Sequence, residues 1–148
     1  FVGPAEDVEL VAGKLASCGD KGACVSSSSA LEDSKHFMVS WKFDKDLSAA
    51  RSELIRTVDS IEGAYVLRTE GNFIYAQFDN FLGFPDDVSF VLSPSGSVQF
   101  RSASRVDGPF GANRGHIKLI EKGALVALHF RTITGARPHA CMCECGWV

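Results

Sequence analysis

Residues 64–101 contain four short strand-like segments that are separated by turn sequences. The segments are 64–69, 72–78, 88–92 and 98–101, and apolar residues alternate with polar ones in the last two. Alternation with a period of two is typical of β-strands that bury one face. Glu70-Gly71 separates the first pair and Ser93-Pro94-Ser95-Gly96 the last pair, and both sequences favour tight turns. The pattern predicts a four-stranded antiparallel meander.

Helical periodicity flanks this meander on both sides. Residues 46–62 place five apolar side chains on one helical face, namely Leu47, Ala50, Leu54, Val58 and Ile61. Asp46 can cap the start of this helix and Gly63 can end it. A further helix is predicted after Asn113, where four apolar residues recur at helical spacing, namely Ile117, Ile120, Ala124 and Leu128. The expected fold is α+β with two layers, in which helices pack on one face of the four-stranded sheet.

The remaining segments complete the predicted domain organisation. Apolar residues in 5–17 recur at helical spacing and predict a short amphipathic helix, so residues 1–18 are assigned as an N-terminal helix. Residues 19–36 mix Gly, Ser and charged residues with little periodicity, which favours a long loop. A single α+β domain is expected over 19–130, and a Cys-containing C-terminal tail over 131–148.

Length and charge exclude several classes of function. The chain of 148 residues has the length of one domain, and it lacks the roughly 20 consecutive apolar residues of a membrane-spanning helix. Residues 1–100 carry eight Lys/Arg against 15 Asp/Glu, whereas 101–148 carry seven against three. Without a run of Lys or Arg, nucleic-acid binding is not expected. The uneven charge suits docking on a charged partner, or it reflects attraction between oppositely charged parts of one fold.

Four strings of residues carry a resemblance to a known family. They are Cys24-Val25-Ser26-Ser27, then Phe84-Pro85-Asp86-Asp87-Val88-Ser89-Phe90, and Val98-Gln99-Phe100-Arg101-Ser102-Ala103-Ser104-Arg105 followed by Gly111-Ala112-Asn113-Arg114. Through these strings, residues 24–120 resemble the bacterial and plastid family called domain of unknown function 1499. The resemblance implies a shared fold and supplies no catalytic assignment. The N-terminal helix and the three-cysteine tail lie outside it.

The family-like strings concentrate hydrogen-bonding side chains, namely Asp86, Asp87, Arg101, Ser102, Ser104, Arg105, Asn113 and Arg114. Because sequential strands are usually neighbours, Asp87 is expected to face Arg101 across the ladder, with Arg105 and Arg114 at the sheet end. One interpretation is an anion site, since guanidinium groups bind phosphate and carboxylate. The other is a structural cluster that ties the turn 106–112 to the sheet. Asp86 and Asp87 should point to opposite faces, which argues against a catalytic dyad.

The remaining sequence motifs do not predict a catalytic site, a metal site or a cofactor site. The chain has no Gly-x-Ser-x-Gly string and no Gly-rich phosphate loop, so we do not expect an enzyme or a cofactor. His36, His116 and His129 are isolated in sequence, which favours hydrogen-bonded residues over metal ligands.

The five cysteines form two groups. Cys18 and Cys24 flank a flexible Gly-Asp-Lys-Gly-Ala loop and either form a disulfide or remain free thiols. Cys141, Cys143 and Cys145 lack the Cys-x2-Cys spacing of structural zinc sites, so no metal is predicted, and packing contacts or a disulfide remain as alternatives.

These observations favour a non-enzymatic accessory subunit that docks peripherally on a larger complex. The expected partner contacts are apolar residues near the two ends, namely Phe1, Val2, Met142, Trp147 and Val148. A start at Phe1 is compatible with a removed transit peptide. Together with the resemblance to plastid proteins, it suggests a photosystem complex at the chloroplast thylakoid, with membrane association through protein partners. The alternative is a domain that binds a phosphate, carboxylate or lipid head group through Arg101, Arg105 and Arg114.

Overall fold

The computed structural model describes residues 10–79, 84–106, 112–128 and 131–132, and these contain seven strands and two helices. The strands are β1 (Cys24–Ser26), β2 (Trp41–Lys42), β3 (Ala64–Glu70), β4 (Phe73–Phe78), β5 (Asp86–Ser93), β6 (Ser97–Ser104) and β7 (Arg131–Thr132). The helices are α1 (Leu47–Asp59) and α2 (Ala112–Leu128).

The strands form one sheet in the order β3-β4-β5-β6-β2-β7, and β1 pairs with the same edge of β6 as β2. Strands β3 to β6 are the predicted antiparallel meander, so the α+β class is confirmed. The sheet has seven strands rather than the predicted four. The segment 19–36, which was predicted as a loop, contains β1. The three additional strands are only two or three residues long. Such short segments show too little alternation to be recognised in a sequence.

A tight turn between β5 and β6 fixes the register of the two strands. Ser93 pairs with Ser97, and Gly96 has φ +90°. A Cβ atom at Gly96 would lie 2.9 Å from the carbonyl oxygen of Phe43. Both the positive φ and this close approach therefore require glycine at this position.

Helix α1 begins and packs as its sequence predicts. The Asp46 carboxylate accepts hydrogen bonds from the backbone N–H groups of Ser48 and Ala49 at 3.1 and 3.2 Å, which caps the helix. Ala50, Leu54 and Val58 are fully buried. Because they belong to the same core cluster as the sheet residues, the predicted contact between this helix and the sheet is confirmed.

Helix α2 packs on the same face of the sheet as α1. Ile117, Ile120 and Ala124 are fully buried in the shared core. Trp41 of β2 lies in that core beside Phe100, with ring centroids 4.8 Å apart. The predicted arrangement of helices on one face of an antiparallel sheet is therefore confirmed.

Residues 10–18 form a segment, here called the strap, that lies on the other face of the sheet. Its first part is a two-residue turn in which Ala12 and Gly13 have φ values of +52° and +74°. Val11 and Lys14 exchange two backbone hydrogen bonds of 3.0 and 3.1 Å across this turn. The predicted helix over 5–17 is therefore wrong for residues 10–17, and residues 5–9 lie outside the described residues.

Burial against the sheet explains why the strap departs from the helical pattern. Leu15 is 4% exposed and packs in a cluster with Phe73 and Tyr75 of β4. The chain after the turn brings Leu15 onto this face, and the tertiary contact outweighs a weak helical preference. The strap therefore packs on the sheet of the α+β domain.

Candidate functional site

Polar side chains form clusters on both faces of the sheet. Asp86 and Asp87 are consecutive residues of β5, and both are buried. Asp86 bonds to a residue of α2, whereas Asp87 bonds to residues on the face that the strap covers. The two carboxylates therefore point to opposite faces of the sheet, as expected for neighbours on a strand.

The cluster on the strap face, here called the Asp87 network, consists of Tyr75, Gln77, Asp87 and Arg105. Arg105 donates from Nε to Oδ2 of Asp87 and from Nη2 to Oδ1, both at 2.8 Å. The Tyr75 hydroxyl donates to Oδ1 of the same carboxylate at 2.6 Å, and Gln77 Nε2 donates to the Tyr75 oxygen at 2.6 Å. Asp87 thus accepts a bidentate ion pair and a phenol hydrogen bond.

Within this network, Asp87 stabilises the protonated forms of both Tyr75 and Arg105. Burial is the main cause that raises the pKa of Tyr75 to about 12, and its hydrogen bond to Asp87 adds to the effect. The hydrogen bond to Asp87 is also the main cause that raises the pKa of Arg105. Near neutral pH, a phenol and a guanidinium therefore share one carboxylate, and the charges of Asp87 and Arg105 compensate each other.

The register of β5 and β6 corrects the predicted partner of Asp87. Asp87 lies opposite Ala103, whereas Arg101 lies opposite Ser89 and is itself buried. The counter-ion of Asp87 is Arg105, which follows the last residue of β6. The order of the strands in the sequence correctly predicted that β5 and β6 are neighbours. The turn between them sets the register and so decides which side chains lie opposite each other.

On the helix face, Asn113 joins three separate parts of the chain. Ser102 Oγ donates to Asn113 Oδ1 at 2.7 Å, and Asn113 Nδ2 donates to Ser104 Oγ at 2.9 Å. The same Nδ2 group donates to the carbonyl oxygen of Ala23 at 2.9 Å. The first turn of α2 is thereby fixed to β6 and to the residue that precedes β1.

A second contact on the helix face joins α2 to the start of β5. His116 Nε2 lies 2.8 Å from Oδ2 of Asp86, and the imidazole stacks on Phe78 with ring centroids 4.3 Å apart. His116 is therefore a hydrogen-bonded residue, as its isolation in the sequence suggested.

Arg114 and His36 hold the loop that follows β1. Arg114 Nη2 donates to the carbonyl oxygens of Ser34, Lys35 and Phe37 at 3.2, 3.2 and 3.3 Å. His36 Nδ1 lies 2.7 Å from Oδ2 of Asp33, and this hydrogen bond is the main cause that lowers the pKa of Asp33. Arg114 therefore contacts this loop rather than the end of the sheet near Arg105.

A disulfide joins the end of the strap to β1. Cys18 and Cys24 are bonded, with Cα atoms 5.7 Å apart, and they pack against Ala103. Within the described ranges, no group of three or more His, Cys, Asp or Glu residues could hold a metal ion. The same part of the chain contains no helix long and apolar enough to cross a membrane.

Several predicted residues lie outside the described residues. They are Phe1, Val2, His129, Cys141, Met142, Cys143, Cys145, Trp147, Val148 and residues 107–111 of the predicted turn.

Two members of the Asp87 network were not identified from the sequence. Tyr75 and Gln77 are the side chains with polar groups in the otherwise apolar strand β4, and they are spaced by two residues. This spacing places both on one face, where they meet Asp87. A polar pair at that spacing in a buried strand is the signal that could have revealed them.

Comparison with known proteins identifies a family that covers both clusters. A family model described as "Protein of unknown function (DUF1499)" matches residues 14–122. The match begins within the strap and ends in α2, so it includes the Asp87 network, Asn113 and the disulfide. A search of curated proteins found no match.

Proposed function

This chain belongs to the DUF1499 family, and we propose that it is a non-enzymatic accessory subunit that docks on a larger protein assembly. The observation that carries this proposal is the internal pairing of two of the three arginines in the family-like strings, Arg105 and Arg114. Arg105 is bound to Asp87, and Arg114 is bound to backbone carbonyl groups. These side chains stabilise the fold, which favours a domain whose function lies in its surface contacts.

The alternative is an anion site that uses Arg101, Arg105 and Arg114, and anion binding at Arg105 would disrupt the Asp87 network. A phosphate or carboxylate that binds Nε and Nη2 of Arg105 would have to replace Asp87, which is 3% exposed, at those two nitrogens. Displacing one partner of a buried pair leaves an uncompensated charge, at a cost of about 3–5 kcal/mol. The network therefore favours a structural role for Arg105.

Docking requires apolar surface, and the described residues offer several exposed apolar side chains. Leu31, Phe84 and Leu119 are each at least half exposed. We place the main contacts at the apolar residues near the chain ends, namely Phe1, Val2, Met142, Trp147 and Val148. The resemblance to plastid proteins extends the proposal to a photosystem at the chloroplast thylakoid, where the chain would bind peripherally through its protein partners.

Native complexes from the source cells test the docking proposal. The tagged full chain is expected to co-migrate with a high-mass complex, and Trp147→Ala or deletion of residues 138–148 should release it. Tyr65→Ala is the matched control, because it removes an exposed aromatic side chain to which the proposal assigns no contact. Migration of the full chain at the 16.0 kDa of a monomer would contradict the proposal.

Calorimetric titration separates docking from anion binding. We expect no saturable binding of inorganic phosphate, acetate or vesicles containing anionic lipid. Saturable binding that Arg105→Ala abolishes, and that Arg51→Ala preserves, would establish the alternative function. Arg51 is a suitable control because its Nε donates to the carbonyl oxygen of Gly71 on the exposed surface.

A further inference from the structure

The strap covers aromatic side chains on the face of the sheet opposite the helices. Leu15 packs against Phe73 and Tyr75, which are 5% and 2% exposed. Tyr75 also belongs to the Asp87 network, so the strap lies directly beside that network. Movement of the strap would therefore change solvent access to β4 without requiring any change in the helix-side core.

The strap is attached to the domain by hydrogen bonds and by one covalent bond. The backbone N–H of Cys18 donates to Ser29 Oγ at 3.2 Å, and Ser26 Oγ donates to the carbonyl oxygen of Ala16 at 2.9 Å. The disulfide joins Cys18, the last residue of the strap, to Cys24 in β1. Because β1 pairs with β6, this bond anchors the strap to the sheet itself.

We propose that the Cys18–Cys24 disulfide is a redox-sensitive latch that holds the strap over Phe73 and Tyr75. Its reaction partner is a dithiol reductant. One thiolate of the reductant attacks a sulfur of the disulfide, forms a mixed disulfide and displaces the other cysteine as a thiolate. The second thiolate of the reductant then breaks the mixed disulfide. The protein gains two electrons and two protons as two thiols, and the reductant becomes a disulfide.

Access to the sulfur atoms requires a local opening, since Cys18 and Cys24 are 5% and 4% exposed. The connecting residues 19–22 lie at the surface, with Gly19, Asp20 and Gly22 exposed. Opening of this short connection would present the disulfide while the rest of the sheet stays paired. After reduction, the ring between the two cysteines no longer restricts the strap, so its release becomes more favourable.

Hydroxyl-radical footprinting of the full chain tests the latch in a Cys18→Ser/Cys24→Ser variant. Labelling of Phe73 and Tyr75 is expected to rise by about tenfold or more, because the closed ring no longer restrains the strap. Tyr65 is already 51% exposed and should be labelled equally in both proteins. Trp41 is 1% exposed in the helix-side core and should stay protected in both.

Two footprinting results would overturn the latch. Unchanged labelling of Phe73 and Tyr75 would show that the strap stays docked without the disulfide. Increased labelling of Trp41 together with Tyr75 would show that the disulfide stabilises the whole domain rather than the strap.

Hydrogen–deuterium exchange with dithiothreitol tests the redox step in the native sequence. Residues 10–18 should lose protection on reduction to the level seen in the double variant. The double variant should not change further with dithiothreitol, which separates this effect from the three tail cysteines. Retained protection in the reduced native chain, or a further loss in the double variant, would refute the redox step.

Discussion

Replacing Asp87 by Asn tests whether the Asp87 network stabilises the fold. The amide keeps the shape of the carboxylate but removes the negative charge to which Arg105 and Tyr75 both donate hydrogen bonds. Its NH₂ group would face N–H donors of Arg105 or the hydroxyl of Tyr75. The guanidinium then remains largely buried, with its side chain 17% exposed, and lacks a counter-ion. We expect the variant to fold with clearly reduced stability.

The structure sets the size of this effect. Removing one partner of a buried ion pair costs about 3–5 kcal/mol. Arg105 is partly accessible and can recover some hydration, so we expect a loss of about 2–4 kcal/mol for Asp87→Asn. For a domain near this length, each kcal/mol lowers the melting temperature by roughly 2–4 °C, which predicts a decrease of roughly 4–16 °C.

Urea denaturation followed by tryptophan fluorescence measures this loss, since Trp41 is buried in the core. Asp79→Asn is a matched control, because the exposed Asp79 also accepts a hydrogen bond from a tyrosine, Tyr65, at 3.2 Å. The control should change the free energy of unfolding by less than about 0.5 kcal/mol. Circular dichroism at each urea concentration verifies that secondary structure is lost in the same transition.

A double variant isolates the ion pair itself. Asp87→Asn combined with Arg105→Gln removes both charges, so the uncompensated guanidinium is gone and part of the lost stability should return. The structural role of the network is refuted if Asp87→Asn costs less than about 1 kcal/mol or if the two substitutions are simply additive.

Three other substitutions probe the network, the helix contact and the polar bridge. Because the pKa of Tyr75 is raised from 10.0 to about 12, its stabilising contribution is present below pH 10 and is lost as pH rises towards 12. In urea denaturation, the free energy of unfolding should therefore fall less between pH 8 and 12 for Tyr75→Phe than for the wild type. An equal fall in the two proteins would contradict this expectation. Gly123→Ala gains about 1 kcal/mol of helix propensity, but the new Cβ atom would lie 2.9 Å from Thr57 Cγ2. Thermal melting should therefore show a net loss of stability. Adding Thr57→Ser removes Cγ2 and should reverse this loss. A higher melting temperature for Gly123→Ala alone would disprove that close contact. Asn113→Ala removes three hydrogen bonds in the interior and should cost about 2–4 kcal/mol in urea denaturation, whereas a loss below about 1 kcal/mol would exclude the bridging role.

The family-like strings predicted one polar cluster, whereas the structure divides its residues between the two faces of the sheet. Asp87, Arg105 and Asn113 were all singled out, and each forms hydrogen bonds inside the chain. The expected pair of Asp87 with Arg101 was wrong because strand register depends on the geometry of one turn. Tyr75 joins the Asp87 network from β4, a strand that lies outside the family-like strings.

The sequence by itself determined the meander, helix α1 with its Asp46 cap and the apolar stripe of α2. Each depends on contacts or spacings within a few residues, which periodicity and capping report directly. Only the tertiary structure decided that the strap is not a helix, that Arg105 neutralises Asp87, and that Asn113 reaches the carbonyl group of Ala23. These outcomes depend on which distant segments share a buried surface, and the free energy of that burial exceeds the local preferences that a sequence displays.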